Sequence, residues 1–230
     1  NSSERTLKER QQKLSRLGIE ADESHFSTRA LATAAFPASQ RPGRSAYVIG
    51  EAGLTTALHD IGYVITDRNP DYVVLGETRT YSFEAITRAI RLIDGGARFI
   101  ATNPDPSGPS QDGKLPATGA VASLITTATG RAPYYVGKPN SLMMRSALNR
   151  IDAHSETTVM VGDRMDTDII AGLEAGLRTV LVTSGSTPPE QVGTFPYRPT
   201  VVHESVADLV DLVEQWAHAD PEPSRGPAGQ

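Results

Sequence analysis

An α/β fold built on a largely parallel sheet is predicted by three features of this 230-residue chain. From about residue 46, short apolar runs alternate with segments whose apolar residues recur at helical spacing. Two of those runs, 134–136 and 157–161, end in a glycine followed by a charged residue, Lys138 and Asp163. A buried strand that stops in this way opens into the region where open α/β sheets bind ligands. Composition agrees: 38% hydrophobic and 21% charged residues describe an ordinary globular protein that is too apolar for wholesale disorder.

The elements follow in order. Residues 3–17 carry Leu7, Leu14 and Leu17 on one stripe, with Ser2 or Ser3 available as the N-cap and Gly18 as the stop. Residues 27–36 form an alanine-rich helix that Pro37 should end. Strand 46–49, helix 52–61, strand 72–75, helix 82–94 (closed by Gly95-Gly96) and strand 98–101 come next. Residues 102–118 hold four prolines and two glycines without periodicity, and read as a functional loop between that strand and a helix over 119–129. Strand 134–136, helix 141–150, strand 157–161, helix 168–175 and strand 178–183 complete the alternation. Residues 205–216 make a last amphipathic helix, and 220–230, with three prolines and two glycines, a disordered tail. No internal repeat is present.

Several function classes are disfavoured. A net charge of −5 and the lack of a basic stripe argue against nucleic acid. No run approaches the ~18–20 apolar residues of a membrane span. The absence of cysteine removes disulfides, thiolate metal sites and cysteine nucleophiles, and fits a cytoplasmic location. The five histidines show no metal-ligand spacing. No serine sits in a Gly-x-Ser-x-Gly elbow, and the glycines make no dinucleotide fingerprint.

What remains is a set of polar residues at strand ends. Asp163 beside Gly162 suits a divalent-cation ligand or a turn acid. Asp168 either caps the following helix or joins Asp163 in one strand–turn–helix unit that serves a metal-assisted phosphate site. Lys138 is either an exposed loop lysine or an ammonium that neutralises phosphate oxygens. Arginine fills 18 of the 22 basic positions, so a lysine at an ordered strand end suggests a compact point charge. Asn103 and Asp105 open the long loop, as a plain Asn-Pro-Asp turn or as contacts to a leaving group.

Together these motifs resemble the haloacid dehalogenase superfamily, most closely its capped branch of p-nitrophenyl-phosphate, phosphoglycolate and nucleotide or sugar phosphatases (NagD-like, with a class IIA cap). The likeness runs from residue 1 to about residue 216. Asn1-Ser2-Ser3 resembles the end of the family's Thr-Asn-Asn-Ser-Ser segment. Tyr135-Val136-Gly137-Lys138-Pro139 and the Gly-Asp-x-x-x-Thr-Asp of residues 162–168 match two more motifs. Residues 100–105, Ile-Ala-Thr-Asn-Pro-Asp, resemble the cap strand and loop. The resemblance implies a Rossmann-like core (1–40 and 132–219) with an inserted α/β cap (41–131). It implies that Asp163 binds Mg²⁺, that Asp168 supports the metal shell or orients the lysine, and that Lys138 holds the phosphate and stabilises an aspartyl-phosphate. Asn1 would help cradle the phosphate, and Asn103 and Asp105 would reach the substrate. A small phosphorylated metabolite (glycolate, glycerol, sugar or nucleotide monophosphate) is the expected partner, with a homodimer through the cap.

Two departures accompany the resemblance. The family's Asp-x-Asp-Gly nucleophile motif occurs nowhere in the 230 residues, and Pro116-Ala117-Thr118-Gly119 stands where relatives carry Pro-Gly-x-Gly. The expectation is therefore an N-terminally incomplete phosphomonoesterase whose first core strand is missing. The competing expectation is an inactive module that binds a phosphorylated ligand or a partner. A third is phosphotransfer to an acceptor other than water.

Overall fold

The structure, a computed structural model, describes residues 6–40, 43–110, 113–210 and 213. The chain divides into two compact units, residues 1–154 and 155–230, and each has its own parallel sheet.

The first unit opens with α1 (Leu7–Ser15). Its cap is Thr6, not an upstream serine: Glu9 N–H donates to Thr6 Oγ1 and the Glu9 carboxylate accepts from Thr6 N–H, a reciprocal capping box. Ser2 and Ser3 lie outside the described residues. Gly18, at φ +79°, ends the helix as expected. Helix α2 (Arg29–Gln40) runs through Pro37 rather than stopping there. A proline in the last turn forfeits a single donor, and its buried ring packs instead.

Strands β1 (Ser45–Ile49), β2 (Val64–Ile65), β3 (Tyr72–Leu75) and β4 (Arg98–Ala101) follow, with α3 (Ala52–Asp60) after β1 and α4 (Phe83–Asp94) after β3. Residues 102–118 are not structureless. They contain an antiparallel hairpin of β5 (Ser107–Ser110) and β6 (Gly113–Pro116). Every residue of β6 is exposed, so no apolar alternation marks it in the sequence. Helix α5 (Thr118–Thr129), β7 (Tyr134–Tyr135) and α6 (Ser141–Arg150) complete the unit. The five-stranded sheet has the order β2-β1-β3-β4-β7, with all pairs parallel.

All four residues of β3 are buried, as a strand covered on both faces requires. Val73, Leu75, Phe99 and Ala101 pack with Ile86, Ala89 and Ile93 of α4 and Val121, Ala122 and Ile125 of α5. The alternate residues Val74 and Ile100 point to the opposite face, where Leu54 and Leu58 of α3 are fully buried. Helix α5 has no side-chain cap. Its first donors are satisfied by the preceding loop: Gly119 N–H donates to the Asp105 carbonyl at 2.9 Å, and Ala117 N–H to that of Pro106 at 3.1 Å. This close approach demands glycine, because a Cβ at 119 would lie 2.1 Å from the Pro104 carbonyl oxygen.

In the second unit a 3₁₀ turn (Ser155–Thr157) precedes β8 (Val159–Gly162), so the strand starts later than its apolar run. A π-helical turn (Met165–Ile169) leads into α7 (Ile170–Glu174). Then come β9 (Arg178–Val182), α8 (Pro189–Val192) and β10 (Val201–His203), giving the parallel order β10-β9-β8. Met165, Ile169 and Leu181 form its core with Leu173, Val192, Phe195 and Tyr197. Of the helix expected over 205–216, residues 206–209 form a 3₁₀ turn capped by Ser205, residues 210 and 213 are α-helical, and 211–212 and 214–216 lie outside the described residues. The tail 220–230 lies outside the described residues. Among the described residues no helix is long and apolar enough to cross a membrane.

Two outcomes are expected. Gly119→Ala should destabilise the protein produced from its native gene by about 1–3 kcal/mol, through the clash with Pro104, read as a lower denaturant midpoint. An unchanged midpoint would refute the close approach. The second concerns Tyr63, 2% exposed. Burial, with help from Tyr72 and Asp71 and against Arg44, pushes its phenol up to about 12. The neutral form is favoured in the folded state, so this contribution to stability is complete below pH 10 and is lost as pH rises through 12. Tyr63→Phe should flatten the alkaline fall in thermal stability, and an identical fall in the variant would contradict the assignment.

Candidate active site

Polar residues gather at the carboxyl ends of the strands in each unit. In the first unit Gly50-Glu51 follows β1, Gly76-Glu77 follows β3, Thr102-Asn103 follows β4, and Val136-Gly137-Lys138 follows β7. The β4 and β7 exits are stitched together, since Gly137 N–H donates to the Thr102 carbonyl at 2.9 Å. Asn103, Asp105 and Lys138 therefore leave the same edge of neighbouring strands.

Lys138 is only 9% exposed, which sets it apart from an ordinary loop lysine. Its turn is held by Asn140, whose Nδ2 donates to the Tyr135 carbonyl and whose Oδ1 accepts from Leu142 N–H at the start of α6. Burial raises the pKa of the Tyr135 phenol on β7.

Asn103 is fully buried, and its amide nitrogen donates to Glu77 Oε1 (2.8 Å) and Asp105 Oδ2 (3.0 Å). The same two oxygens accept from Arg29 of α2, Nη1 to Glu77 at 2.9 Å and Nη2 to Asp105 at 3.2 Å. The four side chains form a closed ring of charge-assisted hydrogen bonds. Sequence reasoning found Asn103 and Asp105 but not Arg29 or Glu77. A signal for Glu77 was available, because Gly-Glu follows an apolar run at both 50–51 and 76–77. Nothing in the sequence marks Arg29, which is separated from Glu77 by 48 positions.

In the second unit Asp163 and Asp168 are brought together. Asp168 Oδ2 accepts from the backbone N–H groups of Asp163 and Arg164, both at 3.2 Å. Its carboxylate stands where a Cβ on residue 162 would be, 2.6 Å from Cγ, so the motif's glycine is a steric requirement. Asp168 is 5% exposed and binds the turn rather than capping a helix in solvent. Asp163 Oδ2 accepts from Ser186 N–H at 2.8 Å and Ser186 Oγ at 2.7 Å. Gly185 lets that carboxylate approach, since a Cβ there would lie 2.4 Å from Oδ2. Thr187 ties the loop down: its N–H donates to the Asp163 carbonyl and its Oγ1 accepts from Met165 N–H. Tyr197 donates to the Met165 carbonyl at 3.0 Å. Burial first, then Asp166 and Glu174, raises the pKa of its phenol. Arg164 and Asp166 pair bidentately on the outer side of the turn. The Ser184–Thr187 segment was not anticipated, for the apolar run before it gives no hint of which carboxylate it meets. Asn1 lies outside the described residues.

Magnesium is the metal that the resemblance implies. Asp163 offers hard carboxylate oxygen and Ser186 a hydroxyl, a donor chemistry that fits a cation held by one or two carboxylates with waters and phosphate oxygens. Among the described residues no group of three or more His, Cys, Asp or Glu residues could hold a metal ion. The residues present therefore fit magnesium as a partial ligand set.

Comparison with known proteins agrees across both units. A haloacid dehalogenase-like hydrolase family profile matches residues 1–64, and a HAD-hydrolase-like profile matches residues 135–209. The chain is 60% identical over 211 residues to dihydroxyacetone phosphatase of Corynebacterium glutamicum, covering 92% of this chain and 77% of that protein. It is 46% identical to ribonucleotide monophosphatase NagD of Escherichia coli, over 84% of this chain and 75% of NagD. The solved NagD structure covers 90% of this chain and 81% of its own, at a TM-score of 0.83 and 42% identity. Glycerol phosphate phosphatase of Mycobacterium tuberculosis, solved in complex with magnesium, gives 0.85 at 30% identity, over 90% of this chain and 64% of that one. With these matches added to the Gly-Asp and Gly-Lys strand ends, the chain belongs to the haloacid dehalogenase-like hydrolases, in the class IIA branch of NagD and the p-nitrophenylphosphatases.

Proposed function

We propose that the protein is a Mg²⁺-dependent phosphomonoesterase acting on a small phosphorylated metabolite. In the overall reaction water is consumed, the bond between phosphorus and the ester oxygen breaks, and the alcohol leaves carrying a proton. The observation that carries this reading is the turn after β8. There Asp168 holds two backbone N–H groups and Ser186 holds the Asp163 carboxylate, all at the carboxyl end of a parallel strand. Such an arrangement presents an anionic oxygen in a fixed position without exposing the second acid.

In this reading Asp163 holds magnesium, which when bound supplies Lewis-acid neutralisation of phosphate charge. Asp168 keeps the turn rigid. Lys138, mostly buried and on a turn anchored by Asn140, carries the positive charge that stabilises the phosphoryl group. An aspartyl-phosphate intermediate belongs to the same reading, with a nucleophile that the 230 residues do not include as an Asp-x-Asp-Gly motif. Residues 41–131 act as the cap that selects the substrate, and residues 1–40 and 132–219 as the core. Dihydroxyacetone phosphate, glycerol phosphate and nucleoside monophosphates are the candidate substrates suggested by the names of its relatives. The lack of cysteine accords with a cytoplasmic setting.

The test uses the protein produced from its native gene and p-nitrophenyl phosphate. Lys138→Ala and Asp163→Asn should each lower kcat by roughly 100-fold or more, with the thermal midpoint little changed. Wild-type activity retained in either folded variant would remove that residue from the site. Chelation of divalent cations should abolish turnover, and magnesium should restore it; activity that survives chelation would exclude the metal. Binding of the ester without turnover by the wild type would favour a phosphate-binding module instead.

A further inference from the structure

The ring of Arg29, Glu77, Asn103 and Asp105 plays no part in the phosphate chemistry proposed above, yet its construction is costly. Burying charges without full compensation is unfavourable, so ion pairs of this kind need a reason beyond stability. Two carboxylates against one guanidinium leave a net charge of −1. Glu51, which accepts from Thr78 Oγ1 at the end of the adjacent strand, adds another carboxylate to the same edge. The ring is not sealed: the Glu77 and Asp105 side chains keep 21% and 16% of their surface, while Asn103 is completely enclosed. Among the described residues, Asn103 Oδ1 and Arg29 Nε have no hydrogen-bond partner. A buried polar atom in that state is destabilising unless something else meets it.

Position decides what the ring could meet. Parallel strands are about 4.8 Å apart, so the ends of β4 and β3 lie roughly 5 and 10 Å from the end of β7, and Lys138 sits in the turn that follows β7. A phosphate held by Lys138 would bring the organic part of a small ester across these two strand ends. Carboxylates fixed by a guanidinium are acceptors set in advance for hydroxyl donors, and the negative balance opposes a second anionic group on the substrate.

We propose that Glu77 and Asp105, held by Arg29 and Asn103, read the hydroxyl groups of a neutral polyol or keto-polyol phosphate and select against carboxylated phosphate esters. This deepens the phosphatase reading and rests on it. The protein produced from its native gene should be assayed with glycerol 1-phosphate, dihydroxyacetone phosphate, 2-phosphoglycolate and p-nitrophenyl phosphate. The wild type is expected to prefer the two neutral esters over phosphoglycolate by at least about tenfold in kcat/KM. Glu77→Gln should narrow that ratio by roughly tenfold, lowering the neutral esters while raising phosphoglycolate, and Asp105→Asn should act in the same direction. A merely structural role would lower all four esters alike. A wild type that hydrolyses p-nitrophenyl phosphate but favours phosphoglycolate, or variants that leave the ratio unchanged, would overturn this inference alone. A wild type that cleaves none of the four would overturn the phosphatase reading as well. The wild-type ratio stands as a test even if neither variant folds.

Discussion

Parallel strand pairing is the constraint on which everything else depends. Within the five-stranded and three-stranded sheets each strand must re-enter in the same direction, most often through a helix, so strand ends that carry polar residues open at one edge. Residues far apart in the chain therefore share an edge. Glu51, Glu77, Asn103 and Lys138 follow four different strands, β1, β3, β4 and β7, and emerge together in the first unit. Asp163 and the Ser184–Thr187 loop emerge together in the second, because β8 and β9 are adjacent and run in register from Val159↔Arg178 to Gly162↔Leu181.

Gathering acids at an edge creates an electrostatic problem, which the two units solve differently. In the second unit the backbone supplies the answer. Asp168 takes N–H donors from the turn, Asp163 takes N–H and hydroxyl donors from Ser186, and glycines at 162 and 185 give both carboxylates room. In the first unit a side chain supplies it: Arg29 reaches from α2 to bind Glu77 and Asp105 at once, which needs the fork geometry of a guanidinium. Backbone donors cannot be repositioned without refolding the turn, whereas a guanidinium and two carboxylates are held by side chains alone.

Much of the architecture was legible because its period is strong. Strands 72–75 and 98–101 and helix 141–150 match their apolar patterns residue for residue, since each buries a continuous face. The departures have separate physical causes. Pro37 does not end α2, because its cost falls in the last turn and its ring is buried. The β5–β6 hairpin is invisible as alternation, because β6 buries nothing. Strand β2, with both residues exposed, and the three-residue β10 are too short to show a period. The π-helical turn at Met165–Ile169 replaces the expected start of an α-helix, and it widens where Asp168 and Ile169 both donate to the Arg164 carbonyl.

By itself, the sequence determined that the chain is an alternating α/β protein, that its strands end in Gly-Asp and Gly-Lys, and that those motifs resemble one superfamily. Hydrophobic periodicity and strand-end chemistry are local, so they survive in one dimension. Only the tertiary structure decided which residues answer those motifs. Ser186 meets Asp163 across 23 positions, and Arg29 meets Asp105 across 76. Such pairs depend on which strands lie side by side, and hydrophobic burial sets that order without leaving a trace in the polar residues it brings together.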